Sequence, residues 1–195
     1  MAKLDDETLA QLFTEARSHN GWSPEPLPEA TLRALYDLTK FGPTAANSTP
    51  ARFYFLTSAD AKERLAKLSS GSNGPKILQA PCTVIVGYDL DFPETLPKLF
   101  PHAPGAKDWF NDLQAREWGA LRNSSLQGGY FMIAARALGL DVGPMSGFDN
   151  AGVDAEFFAG TNIKSNFIVS IGHGTDEGLF PRNPRLDFDE AAKIL

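Results

Sequence analysis

One long helical stretch, Asp112 to Leu138, constrains this chain more than any other feature. Gly139 stands where a left-handed cap would close it. From Ser124 onward the stretch is small or apolar on nearly all sides, the pattern of a helix buried around its whole circumference. Ser124, Ser125, Gly128 and Gly129 remove side-chain bulk. Each glycine disfavours a helix by about 1 kcal/mol relative to alanine, so close packing against another element is the expected compensation. A partner subunit is a candidate for that element.

The remaining segments alternate between helix and strand patterns. Asp5–Ala16 reads as a helix with Leu9, Leu12 and Phe13 on one face, and Glu29–Phe41 as a second with Leu32, Leu35, Tyr36 and Leu38 as its stripe. Between them, Ser23–Pro28 holds three prolines and reads as a turn or extended linker, and Gly42-Pro43 ends the second helix. Arg52–Thr57 is aromatic-rich and reads as a strand, and Ala59–Leu68 as a charged helix. Cys82–Tyr88 is a β-branched apolar run, the mark of a buried strand. The proline-broken Leu90–Gly105 suggests loops with short helical turns. Leu140–Met145 and Asn166–Gly172 read as strands flanking a helix that begins at Phe148. Interleaved helices and strands imply an α+β or α/β sandwich, helices covering a central sheet. The length, 195 residues, suits one domain spanning residues 1–195.

Composition excludes several classes of partner. The net charge of −6 disfavours nucleic acid and anionic membranes, whose binding needs clustered Lys and Arg, so any basic pocket must be local. No stretch reaches the roughly 18 apolar residues of a membrane span, and Arg136 interrupts the most apolar one, Tyr130–Leu140. Met1–Leu12 is acidic and lacks the apolar run of a signal peptide. A single cysteine, Cys82, excludes an internal disulfide and a cysteine-based zinc site, and reads as a small buried hydrophobe. A cytoplasmic protein is expected.

No glycine-rich dinucleotide fingerprint, P-loop, His-Glu-x-x-His or Gly-x-Ser-x-Gly is present. Nothing in the sequence pairs His19, His102 and His173 into a metal site. Chemistry is instead expected in four segments of small, polar and cationic residues beside regular elements: Arg17-Ser18-His19-Asn20, Gly42–Pro50, Asn73-Gly74-Pro75-Lys76, and Gly143–Gly147 with the later Arg182 and Arg185. Singly, each has a structural reading, since a cation after a helix complements the helix dipole and Gly-Pro pairs make turns.

Together these segments resemble the FMN-dependent nitroreductase family over nearly the whole chain, in the same order. The most specific pieces are Gly42-Pro43-Thr44-Ala45-Ala46-Asn47, Arg122-Asn123-Ser124-Ser125, and Ala137–Asp141 running into Gly143-Pro144-Met145-Ser146-Gly147-Phe148-Asp149. Lys164-Ser165-Asn166 and Pro184-Arg185-Leu186 look closest to the branch of malonic semialdehyde reductases. The resemblance implies an α+β fold with a mainly antiparallel sheet, and a domain-swapped homodimer cored by the long helix, with two FMN sites at the interface. It assigns Arg17, Ser18, Arg182 and Arg185 to the flavin phosphate, with Asn20 in the same motif. Asn73 and Lys76 would serve the pyrimidine edge and the charge that gathers there, and the Met145-Ser146-Gly147 turn would bring a backbone N–H to flavin N5. Pro43, Thr44, Ala45 and Asn47 would reach across from the other subunit.

The chain departs from the family at Asn20, where a second cation is common, and at Ser146, where an acid is. It also carries Ala51-Arg52 where a bulky aromatic is frequent, and spaces Arg182 and Arg185 by three instead of two. The implied reaction is two-stage: NADH or NADPH delivers hydride to N5 and leaves, then a small substrate, malonic semialdehyde in this branch, is reduced to 3-hydroxypropionate in the same pocket. A substrate carboxylate calls for a cation, and Arg52, Arg116 and Arg122 are candidates by type. The competing readings are a general nitro or quinone reductase, and an FMN-binding protein that stores or senses flavin without turnover.

Overall fold

A computed structural model describes residues 2–195; Met1, the first residue of the N-terminal stretch, lies outside them. Helix α1 (Asp6–Leu9) runs into a π turn (Ala10–Thr14) and is followed by the short strand β1 (Gly21–Trp22). Helix α2 (Glu29–Thr39), strand β2 (Ala51–Leu56), helices α3 (Ala59–Lys67) and α4 (Asn73–Gln79), and strand β3 (Cys82–Asp89) come next. The proline-rich stretch contributes α5 (Leu96–Leu99) between short 3-10 turns. Then come α6 (Leu113–Ala137), β4 (Asp141–Met145), α7 (Asn150–Phe157), β5 (Ile163–Gly172), β6 (Gly174–Thr175) and α8 (Phe188–Ala191). Four strands form an antiparallel sheet in the order β2-β3-β5-β4, and β1 pairs β6 in a small ribbon. The fold is α+β, as expected.

Strand β3 shows why helices cover both faces. Its side chains alternate, so Cys82, Val84 and Val86 point to one face and Ile85 to the other, and all are buried. On the first face they meet Leu32 and Leu35 of α2 and Phe131, Ala134 and Ala135 of α6. On the second, Ile85 meets Leu65 of α3, Ile77 of α4 and Val153 of α7. A third cluster, Tyr88, Phe92, Leu96, Ala106 and Ala120, lies under the proline-rich segment and includes Ala46 at its margin.

Helix α6 is capped as its sequence suggests. Asp112 accepts a hydrogen bond from the Ala115 N–H at 2.7 Å, and Gly139 adopts φ +74° just beyond the C-terminus. Gly128 lets Phe167 of β5 lie against the helix, where a Cβ would overlap the ring. The expectation of burial all round needs correction for the single chain. Ser124, Gln127, Gly128 and Phe131 are buried, but Leu126 and Tyr130 are 49% and 46% exposed, because the sheet and α2 cover only one side.

Three other expectations change. The first helix is not regular: Glu15 N–H bonds the Ala10 carbonyl five residues back, and the widened turn removes Phe13 from the apolar stripe, leaving Leu12 buried and Phe13 exposed. Tyr36 and Leu38 of α2 face outward, where only Leu32 and Leu35 reach the core. Asn73–Lys76, read as a polar segment before a strand, opens helix α4.

Candidate functional site

Cations from three distant parts of the chain gather at the C-terminal end of α6. Arg17, Ser18 and Asn20 after the π turn, Arg136 in the last turn of α6, and Arg182 and Arg185 on the C-terminal segment line one cleft of about 400 Å³. The N-terminal contribution is pinned to β4. Ser18 pairs with Val142 in a single parallel bridge, and the His19 N–H donates to the Val142 carbonyl at 3.0 Å. His19 Nε2 lies 3.3 Å from Asp141 Oδ1 and Nδ1 lies 3.2 Å from the Thr175 carbonyl. Close approach is possible because residue 143 is glycine; a Cβ there would fall well inside contact distance of the His19 carbonyl oxygen. The two coil segments then hold each other, Arg17 donating to the Phe180 carbonyl and Arg182 to the Ala16 carbonyl at 3.0 Å.

Among the described residues no carboxylate makes an ion pair with Arg17, Arg136, Arg182 or Arg185. Burial holds Arg136 below the ordinary arginine range; Asp141 opposes that effect and the charge of Arg182 adds to it. Four guanidinium groups facing one cleft without a counter-ion, beside a serine hydroxyl, form a site for an anion of more than one charge.

Asn20 also lines a second cleft, of about 610 Å³, with Lys76 and Glu177, and its Nδ2 donates to the Gly178 carbonyl at 2.7 Å. The Lys76 ammonium has no ion-pair or hydrogen-bond partner among the described residues, and Gln79 Nε2 donates to the Glu177 carboxylate at 2.9 Å. One turn earlier on α4, Asn73 Nδ2 donates to the Gly147 carbonyl at 3.0 Å. A Cβ on Gly147 would lie 2.6 Å from Ser70 Oγ and 2.9 Å from Asn73 Nδ2, so a side chain there would displace these two polar groups where the Met145-Ser146-Gly147 turn meets this loop. The Gly147 N–H donates no hydrogen bond among the described residues. The structure thus brings together Arg17, Ser18, Asn20, Arg182 and Arg185, connects them through Asn20 to Lys76, and sets Asn73 against Gly147.

Pro43, Thr44, Ala45 and Asn47 lie elsewhere. Their loop holds three non-glycine residues at positive φ: Ala46 (52°), Asn47 (49°) and Thr49 (38°). Such backbone persists only where its surroundings impose it, and is typical of functional loops. Buried Asn123 accepts the Ala45 N–H at 2.8 Å, buried Gln127 accepts the Ala51 N–H at 2.9 Å, and Asn47 Nδ2 donates to the Leu99 carbonyl at 2.9 Å. Asn123 is thirteen residues before Arg136 on α6, about 20 Å along the helix axis. Within one chain, the loop is therefore held at the middle of α6, whereas the arginine cleft lies at its C-terminal end.

Sequence reasoning assigned no binding role to Asn123, Gln127 or Arg136. A pair of amide side chains four residues apart where the helix turns small or apolar is the signal for the first two, and a charge interrupting the most apolar stretch is the signal for the third. Asn166, opposite the register shift of β3, donates to Ser124 Oγ and Ser125 Oγ at 2.8 and 2.9 Å, which accounts for that serine pair. Of the three arginines considered for a substrate carboxylate, Arg52 is paired with Asp89 at 2.5 Å and Arg116 donates to the Phe110 carbonyl at 2.6 Å. Arg122 only stacks over the Trp118 ring, 5.3 Å from its centroid. Burial pushes the Cys82 thiol up to about 12, so it stays protonated and packs as a hydrophobe.

The model of the nitroreductase family matches residues 13–173. A Caulobacter vibrioides protein provisionally named NADH dehydrogenase/NAD(P)H nitroreductase is 90% identical over 100% of both chains, and one of Stenotrophomonas maltophilia with the same provisional name is 60% identical over 98% of this chain and 97% of its own. Among solved structures, a provisionally assigned nitroreductase of Exiguobacterium sibiricum in complex with FMN has the same fold, with a TM-score of 0.87 at 18% identity over 100% of both chains. A Bacillus subtilis counterpart has a TM-score of 0.85 at 21% identity over 98% of this chain and 100% of its own. With a family match over most of its length and relatives this similar end to end, the chain belongs to the nitroreductase family of oxidoreductases.

Proposed function

We propose that this protein is an FMN-dependent NAD(P)H oxidoreductase: a single flavin-binding domain that works as a cytoplasmic homodimer with its two sites at the subunit interface. The arginine cleft carries the reading. A phosphate monoester is a compact dianion, and Arg17, Ser18, Arg182 and Arg185 offer the charge and forked donors that such a group takes. Asn20 leads from there to Lys76, whose free ammonium suits the pyrimidine end of a reduced flavin. Asn73, its Nδ2 committed to Gly147, keeps its side-chain carbonyl as an acceptor for a ring N–H, and Gly147 keeps its own N–H as a donor. When bound, FMN supplies the redox chemistry that connects NAD(P)H to the substrate. The chain's own part is to hold the group, fix its charge and shape one shared pocket.

The homodimer rests on two observations. The strained Pro43–Asn47 loop is anchored at Asn123, about 20 Å along α6 from Arg136, so it does not line the arginine cleft of its own chain and is free to serve the site of a second copy. The exposed apolar side chains Tyr36, Phe41, Trp118, Leu126 and Tyr130 form the kind of surface that a second copy covers. No helix among the described residues is long and apolar enough to cross a membrane.

The test is the visible spectrum of the purified protein, followed by anaerobic addition of NADPH and NADH. A flavin spectrum that bleaches rapidly is expected, with the faster donor named by rate. Bound flavin that does not bleach would favour storage or sensing. A colourless protein that FMN cannot reconstitute would overturn the proposal.

The proposed substrate is malonic semialdehyde, on the branch-like Lys164-Ser165-Asn166 and Pro184-Arg185-Leu186 segments and on the availability of Arg122. The names of the close relatives favour a general nitro reductase as the second reading. Arg122→Leu separates them. It is expected to raise KM for malonic semialdehyde roughly tenfold or more through loss of a charged contact, with kcat and nitroaromatic reduction little changed. Failure of the wild type on semialdehydes would leave the general reductase.

A further inference from the structure

We propose that Arg136 is a fourth cation of the phosphate site, carried on α6 and supplying to the cleft a charge that the neutral Asn20 does not. The inference rests on the flavin reading above. Arg182 and Arg185 stand on irregular backbone, whereas Arg136 sits in the last turn of a 25-residue helix, beside the buried Ala134 and Ala135. Its position is therefore set before any ligand arrives. Asn20 lines the same cleft, but brings no charge and donates its amide to Gly178.

The hydrogen bonds of Arg136 leave it incomplete. Nη1 donates to the Leu12 carbonyl at 3.0 Å, which ties α6 to the π turn, and Gln11 Nε2 returns a bond to the Arg136 carbonyl at 2.6 Å. The Nε–H is buried and has no partner. No carboxylate makes an ion pair with the guanidinium; burial acts against its charged form, the more distant charge of Asp141 acts for it, and Arg182 acts against it. A latch onto Leu12 needs one N–H and no charge. A partly buried cation beside a second cation is stabilised once an anion enters the cleft between them.

The experiment titrates apoprotein of the full chain with FMN and, separately, with riboflavin, which has the same ring and no phosphate. Arg136→Gln is expected to weaken FMN about tenfold or more, the size of one charge-assisted contact, and to leave riboflavin unchanged. Arg136→Lys, which keeps the charge and loses the fork, should fall between. Asn20→Lys added to Arg136→Gln should recover part of the lost FMN affinity. Equal weakening of FMN and riboflavin, or no weakening, would show Arg136 to be only a latch and overturn the proposal. Should Arg136→Gln fail to fold, Arg136→Lys decides alone: an unchanged FMN-to-riboflavin ratio overturns the proposal and a lowered one supports it. Loss of FMN in an Arg182→Gln/Arg185→Gln variant but not in Arg136→Gln would also overturn it while sparing the flavin reading. Wild-type apoprotein that binds no FMN would bring down the flavin reading itself.

Discussion

Replacing Arg182 and Arg185 together with glutamine is expected to raise the Kd for FMN by about two to four orders of magnitude, because each charge-assisted contact contributes roughly 1.5–3 kcal/mol. Both side chains line the cleft, and neither has a carboxylate partner among the described residues. Their present bonds are to backbone carbonyls: Arg182 to Ala16, and Arg185 to Asn183 and Pro184. Removing them breaks no ion pair, so the apoprotein should keep most of its stability while losing the ligand. The Arg17 bond to Phe180 remains to hold the two segments together. Equilibrium titration of apoprotein with FMN, repeated with riboflavin, reads the effect. Riboflavin affinity should hardly move, and the wild-type FMN affinity should fall more steeply with added salt than that of the double variant, which keeps Arg17 and Arg136. An unchanged FMN Kd in the double variant would mean that the cleft is not where the phosphate binds.

What the sequence made legible follows from the range of the interactions involved. Strand β3 is readable because eight consecutive residues, nearly all apolar, report burial on both faces without reference to anything else. The capped ends of α6 are readable for the same local reason. Helix α4 is hidden by Gly74 and Pro75, which read as a turn, although proline in a first turn lacks only an N–H that the helix does not use. The π turn at Ala10–Thr14 depends on surroundings that no window of sequence contains, among them Arg136, 124 positions from the Leu12 carbonyl it holds. The contact of Arg182 with Ala16 spans 166 positions. The arginine cleft is a product of such contacts. Family resemblance reaches five of its residues, Arg17, Ser18, Asn20, Arg182 and Arg185, because motifs travel together, and does not reach Arg136, which lies inside a helix rather than in a motif. In sequence Asn123 and Gln127 read only as residues of the long helix; the folded chain shows that they hold the strained loop.

Gly143→Ala should damage the protein from a position that touches no ligand. The added Cβ would overlap the backbone carbonyl of His19 and lie 3.0 Å from Trp22 Cζ2. Neither neighbour can yield easily. The His19 backbone is held by its N–H bond to Val142, and its ring sits between Asp141 and Thr175; Trp22 is 4% exposed. Relief therefore requires the segment carrying Arg17, Ser18 and Asn20 to lift from β4, which breaks the Ser18–Val142 bridge. Overpacking of this kind costs about 1–3 kcal/mol and more when backbone must move, so Tm should fall by roughly 2–12 °C for a chain of this length. Because Arg17 and Ser18 ride on the displaced segment, FMN affinity should fall by more than removal of one arginine produces, even when measured at a temperature where the variant is fully folded. A lowered Tm with wild-type FMN affinity would mean that the segment relaxes without moving its cation, and that β4 stabilises the fold without positioning the site. Wild-type values of both would mean that the close approach of His19 to residue 143 can open at negligible cost, and that glycine there is not what holds the arginine cleft in place.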